Sequence, residues 1–302
     1  MKLTKIILLL NFLVWCSGSL VYAEEYIVTV RAKNGIEASI EKWQPTVDYL
    51  SRTVKGGHSF KLKPVVSLGE IIQQASRGEF DFLLTNPSSF VEVEQRYGAK
   101  ALVTLKNKRV NLAQSVFGSV IFTHVKNTDI LNVKDLQGKT LMAVSEPAFG
   151  GWRVAWLEML TLGFDPYREL KTLMFAENKT QPEVVFAVRD GKADAGVVRT
   201  DQLERMEASG KIDMRYFRVL NNKNNKNFPF FLSTDLYPEW PFAVMKNVPA
   251  DVAQEVKQKL GLLTAESSAA RSGKYISWVP PLDYASVDRL MQRLKVGSYA
   301  EK

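Results

Sequence analysis

Cysteine is almost absent from this chain. Its 302 residues hold one, Cys16, and two histidines, His58 and His124. A lone cysteine makes no intrachain disulfide, and no Cys/His spacing fits a structural zinc. Neither histidine belongs to a nucleophilic triad, and His58, in a Gly-Gly-His turn, reads as exposed. There is no nucleophile elbow, HExxH, Walker loop or GxGxxG. Acidic pairs fall on solvated helix faces. These absences move the expectation from catalysis to binding, with no cofactor. No apolar run beyond residue 23 reaches the ~20 residues of a spanning helix. The net charge of +8 comes without a long basic run, so nucleic acid is not an expected partner. A mild cationic excess suits an anionic ligand or a membrane-facing partner.

The start of the chain is a different matter. Lys2 and Lys5 precede Ile6 to Trp15, apolar but for Asn11, and Val21-Tyr22-Ala23 offers small residues for a cut. This reads as a secretory signal peptide over 1–23, placing the protein in the periplasm. Trp15 does not fit the small residue that a lipoprotein signal needs before Cys16. Removal of the leader leaves 279 residues without cysteine. An exported chain without disulfides must rest on its core, as a soluble monomer.

Patterning then alternates. Glu25 to Ala32 reads as a strand, Ile36 to Val54 as a helix, Phe60 to Val66 as a strand, Leu68 to Arg77 as a helix ended by Gly78, and Asp81 to Leu84 as a short buried strand. A helix from Phe90 to Tyr97 and a strand at Leu102 to Leu105 follow. The same grammar returns from Ser119, with strands at Ser119 to Thr123, Thr140 to Val144, Leu173 to Ala176 and Ala195 to Val198. Helices over Pro182 to Arg189 and Asp201 to Ser209 separate the later ones. The expected fold is α/β, two units with parallel sheets. After the solvated loop NNKNNKN (221–227) comes a strand-like return, Phe228 to Thr234, then helices over Asp251 to Leu263 and Tyr284 to Leu294. These last elements need a surface to cover, and the first unit offers it. The expectation is a lobe of 24–118 with 229–302, a lobe of 119–228, two crossing strands and a cleft between the lobes.

Candidate binding residues sit where strands end. In VSEPAFGGW the chain turns at Gly150 and Gly151 without a Cβ in the way. The amides of Phe149, Gly150, Gly151 and Trp152 would open a helix and can hold a small anion. Thr85, Asn86, Ser88 and Ser89 follow another buried strand, rich in donors, with Ser88 or Ser89 also fit to cap the next helix. Arg199 ends a third strand and can grip an oxyanion or pair with Asp201 or Glu204. Asn178 ends a fourth. Trp156 reads as core, and LYPEWPF as a locked crossing or a cleft wall.

Several motifs taken together, TNPSSFVEVEQRYGAKAL, GSVIFT, DLQGKTLMAV, FGGWRVAWLEMLTLGFDP, VVFAVRDGKADAGVVRTDQLE and FPFFLSTDLYPEWPFA, make the chain resemble periplasmic substrate-binding proteins of the phosphate, phosphite and phosphonate type. It resembles still more the periplasmic sensing domain of tetrathionate-sensor-like histidine kinases. The resemblance runs from about Tyr26 to Val279. It implies a two-lobed class II periplasmic binding protein fold with a ligand cleft. It also implies a ligand-side position for Asp194 of GKADAG, which otherwise reads as a turn cap. Glu146 to Trp152 lacks the hydroxyls of the related anion loop, and Asn178 lies where relatives often have histidine. The expectation is a sensing module alone, without a kinase domain after Leu294. The reading is a solute-binding protein that presents a small anion, such as a phosphonate or sulfur oxyanion, to an ABC transporter permease. The alternative is a sensing accessory for a membrane sensor kinase; a more distant one is an exported enzyme on the same scaffold.

Overall fold

The computed structural model describes residues 23–300, so the leader expected over 1–23 lies outside the described residues except for Ala23. The first elements are β1 (Glu25–Arg31), α1 (Ile36–Thr53), β2 (Ser59–Val65), α2 (Leu68–Arg77), β3 (Phe82–Leu84), α3 (Pro87–Tyr97), β4 (Lys100–Arg109), β5 (Leu112–Gln114) and β6 (Val116–Phe117). Then come β7 (Ser119–His124), β8 (Thr140–Ala143), a π-helical turn (Phe149–Arg153), α4 (Val154–Thr161), α5 (Pro166–Glu169), β9 (Thr172–Phe175), α6 (Gln181–Arg189), β10 (Ala195–Arg199), α7 (Gln202–Ala208) and β11 (Phe217–Leu220). The chain closes with β12 (Tyr237–Pro238), β13 (Pro241–Val244), α8 (Ala250–Gly261), α9 (Ser268–Gly273), β14 (Tyr275–Val279) and α10 (Ala285–Leu294). No helix among the described residues is long and apolar enough to cross a membrane.

Each lobe is built on one sheet. The first has the order β14-β4-β13-β3-β1-β2, the second β11-β7-β10-β8-β9. In each, three strands linked through helices run parallel, β2-β1-β3 and β9-β8-β10. Beside them lies an antiparallel strand, β13 next to β3 and β7 next to β10. The expectation of purely parallel sheets therefore holds for three strands of each and fails for the others. The reason is the crossing: β7 and β13 enter from the opposite lobe without a helical crossover, so they meet their neighbours head to tail. The crossing itself is a two-stranded ribbon in which Phe117 pairs with Tyr237 and Val116 with Pro238.

The strand-like return at Phe228 to Thr234 is not a strand. Its side chains substitute for a ladder: Ile121 N–H donates to Ser233 Oγ at 2.9 Å and Ser119 N–H to Thr234 Oγ1 at 3.0 Å. His58 is buried rather than exposed. Its Nδ1 accepts the Glu24 N–H at 3.2 Å, and its ring meets that of Tyr26 edge-on.

One core lies between the first sheet and α1, α8 and α9, around Trp43, Leu50, Phe82, Val256 and Trp278. Another lies on the opposite face, around Ile71, Phe90, Val287 and Leu290. This second core also takes in Phe149 and Val154 from the other lobe, so the lobes share apolar packing on one side of the crossing.

Candidate functional site

The loops singled out in the sequence do leave the carboxyl ends of parallel strands, where open α/β sheets bind ligands. Their local chemistry differs from loop to loop. Asn86, not Ser88 or Ser89, caps α3. Its Oδ1 accepts the Ser89 N–H at 3.1 Å and the Ser88 hydroxyl at 2.8 Å. Those three polar groups thus satisfy one another. Thr85 is different, since its Oγ1 is fully buried with no hydrogen-bond partner among the described residues. By register Arg31 lies beside Thr85 at the mouth of the same sheet, and its Nη1 is also buried without a partner.

Phe149, Gly150, Gly151 and Trp152 form a buried π-helical turn. Neither glycine needs a left-handed backbone; both serve close approach. A Cβ at Gly150 would come within 2.7 Å of the Phe117 ring, and one at Gly151 within 2.6 Å of the Val144 side chain. Trp152 stacks on Trp156 and points into the second lobe, away from any opening. Phe149 meets Phe117 and Tyr237 edge-on, at centroid distances of 5.9 and 5.4 Å, and so anchors the turn to the crossing. Asn178 is exposed on the loop after β9, its N–H donating to Glu183. Asp194 holds a turn: its Oδ2 accepts both the N–H and the hydroxyl of Thr140 at 2.8 Å.

Arg199 leads to the centre of the molecule. Its guanidinium donates to Glu239, lies 3.5 Å from Asp201 and sits over the Phe117 ring at 4.0 Å. Glu239, just past β12, is fully buried and also accepts from Asn107 and, at 3.5 Å, Arg109. Burial alone would raise the Glu239 carboxyl, but Arg199 and Arg109 overcome it and hold the carboxyl down at about 2. Arg199 is likewise opposed by burial yet raised by Glu239 and Asp201. This ion cluster ties the end of β10 in one lobe to the end of β4 in the other. Of the partners weighed from sequence, Asp201 is confirmed for Arg199, while Glu204 instead accepts the Phe231 N–H.

Around this cluster lie cations that no sequence motif marked. Lys33, on the loop after β1, is crowded by both lobes although its surface keeps contact with solvent. Burial, then Arg109, Arg199, Lys42 and Arg205, push its ammonium down to about 7; the remaining water moderates that fall. Lys42, half-buried on α1, is pushed to about 8 by burial, Arg109, Lys274 and Arg199, against the pull of Glu239. Cations from the first sheet's loops and from α7 of the second lobe therefore face one another. Among the described residues no group of His, Cys, Asp and Glu can hold a metal ion.

Two sheets joined by a two-stranded crossing are the architecture of the two-lobed periplasmic binding proteins. The chain belongs to the family described as ABC transporter, phosphonate, periplasmic substrate-binding protein, which it matches over residues 33–284. It is 28% identical over 281 residues to the tetrathionate sensor histidine kinase TtrS of Salmonella typhimurium. That match covers 93% of this chain and 45% of the kinase, so the chain spans less than half the length of that relative. In fold it is similar to PhnD1 from Prochlorococcus marinus in complex with methylphosphonate, with a TM-score of 0.68, 12% identity, and 90% and 98% of the two chains covered. It is also similar to a Xanthomonas citri protein bound to ATP, with a TM-score of 0.69, 18% identity, and 92% and 99% covered.

Proposed function

We propose that the protein captures a small anion, a phosphonate or sulfur oxyanion, between its lobes without chemical turnover and presents it to an ABC transporter permease. One observation carries this reading: the charges that lower the Lys33 ammonium, Arg109, Arg199, Lys42 and Arg205, are all cations and come from both lobes. Such a recess is unfavourable when empty and is relieved by an anion. The moving bodies are 24–118 with 229–302, and 119–228, turning about the β6–β12 ribbon. In this reading Lys33 and Lys42 meet the anion, with Thr85, Arg31 and the backbone at Gly150 and Gly151 as further donors. Arg199, Asn86 and Asp194 hold the frame.

A second reading is that the protein reports its bound state to a membrane sensor kinase. The match to the tetrathionate sensor kinase over nearly the whole chain favours it. Both readings share the binding step, which thermal denaturation tests with phosphate, methylphosphonate, sulfate, thiosulfate and tetrathionate. A ligand at 100 times its Kd stabilises the folded protein by ~2.7 kcal/mol. The account expects such a shift with at least one anion, and its loss in the Lys33→Gln, Lys42→Gln double variant. A shift that survives in that variant would move the anion elsewhere.

A further inference from the structure

A cavity of about 670 Å³ lies between α7 of the second lobe and α9, β14 and the β4–β5 hairpin of the first. Its charged lining is Lys108, Arg205, Arg271 and Lys274, with no acidic residue. Arg205 is held by Asp201 at 2.6 Å, and Arg271 donates to the Glu266 carbonyl. Lys108 and Lys274 have no carboxylate partner among the described residues. Yet the Lys108 N–H donates to the Lys274 carbonyl at 3.3 Å, so the backbone sets these two like charges next to each other. Two backbone irregularities flank the arrangement. Val110, at the hairpin tip, has φ 51°, and Lys274 has φ 54°. A β-branched residue there is an outlier, and strain of this kind gathers at ligand sites.

Single exposed lysines are ordinary. Two free lysines and two anchored arginines, drawn from both lobes around a cavity without an acid, are not explained by folding, because each repels the others. The cavity is also far larger than a single oxyanion group requires and falls in the size range of organic ligands. Two of its lining cations lie close enough to the inner ones to act on them, Lys274 on Lys42 and Arg205 on Lys33.

We infer that the ligand is an organic anion with two separated anionic groups, one held at Lys33 and Lys42 and the other at Lys108 and Lys274. This rests on the proposed capture of an anion in the cleft. It assigns the outer cavity a share of the affinity and makes charge separation in the ligand a specificity determinant. Val110, Ala208 and Ala265 supply apolar wall for the body that joins the groups.

Isothermal titration calorimetry with alkane bisphosphonates of increasing chain length, each against its monophosphonate counterpart, tests this. At one chain length the bisphosphonate binds roughly tenfold tighter or more than its counterpart. The Lys108→Gln, Lys274→Gln double variant removes that gain while monophosphonates still bind. Both side chains are exposed, and an unchanged melting temperature verifies that the variant folds. If monophosphonates bind and no bisphosphonate gains, the outer subsite is refuted while anion capture stands. A gain that persists in the double variant refutes the assignment to Lys108 and Lys274. If neither series binds, the two-group organic anion is refuted, and anion capture stands or falls by the melts with sulfate, thiosulfate and tetrathionate.

Discussion

Glu239 is the side chain on which the junction of the lobes depends. It is buried, ionised and shared by Arg199, Arg109 and Asn107. Removing its charge leaves Arg199 in the interior with Asp201 alone, and breaking a buried pair in this way costs about 3–5 kcal/mol. Glu239→Gln should lose that much in chemical denaturation; a loss below about 1 kcal/mol would contradict the account. The sign with pH follows. The folded carboxyl lies at about 2, below its ordinary 4.5, so its contribution is full above 4.5 and lost as pH falls toward 2. Melting of the wild type over that window should fall more steeply than melting of Glu239→Gln. At Gly150 the argument is steric. An added methyl group meets the Phe117 ring at 2.7 Å and the Arg199 stem at 3.4 Å, and overpacking of this kind costs about 1–3 kcal/mol. Gly150→Ala should show that loss in a denaturant melt, and an unaltered midpoint would mean that the turn is slack.

Helices and strands place these groups with uneven help from local sequence. The βαβ alternation was legible because apolar runs of strand length alternate with helical periodicity. A helix end was legible where glycine takes the left-handed region, as at Gly78, with φ 66°. The two-residue strands β6 and β12 were not, being too short to show a period, although LYPEWPF read as a locked crossing or a cleft wall. The antiparallel strands were misread because direction is set by which lobe the chain comes from, not by composition. The cationic cleft was invisible for a related reason. Lys33, Lys42, Arg109, Arg205 and Lys274 are scattered along the chain, each alone a solvated charge, and only the two sheets bring them together. One signal was available: a lysine directly past a buried strand, followed by Gly35 at φ 98°. Arg199 was legible as a charge at a strand end, but its partner Glu239 was not, lying across the crossing. The anchoring of the π-helical turn to that ribbon is testable. Phe149 is buried between Phe117 and Tyr237, so Phe149→Ala should cost about 3–5 kcal/mol in thermal or chemical unfolding. A cost near zero would mean that the turn does not hold the ribbon.

At the scale of the whole molecule, the two lobes are packed together on one side by α4 against α10 and by the shared apolar core. In the proposed function, closure brings the cation-lined side together, and an anion offsets the repulsion that resists it. Affinity should depend on pH through Lys33. Its ammonium is lowered toward about 7 by burial and by Arg109, Arg199, Lys42 and Arg205, a fall that its contact with solvent moderates, and Lys42 is lowered toward about 8. Anion binding favours the protonated forms, so affinity is greatest below 7 and weakens as pH rises through 7 to 8. Calorimetry across that range should show proton uptake on binding, and Lys33→Gln should flatten the first part of the profile. The most direct measurement is the place of the anion itself, read from anomalous scattering of crystals grown with arsenate. The account predicts a peak between the two sheets within hydrogen-bond reach, roughly 3 Å, of the Lys33 or Lys42 ammonium. Arsenate found only on the outer surfaces, with the cleft filled by water, would contradict it.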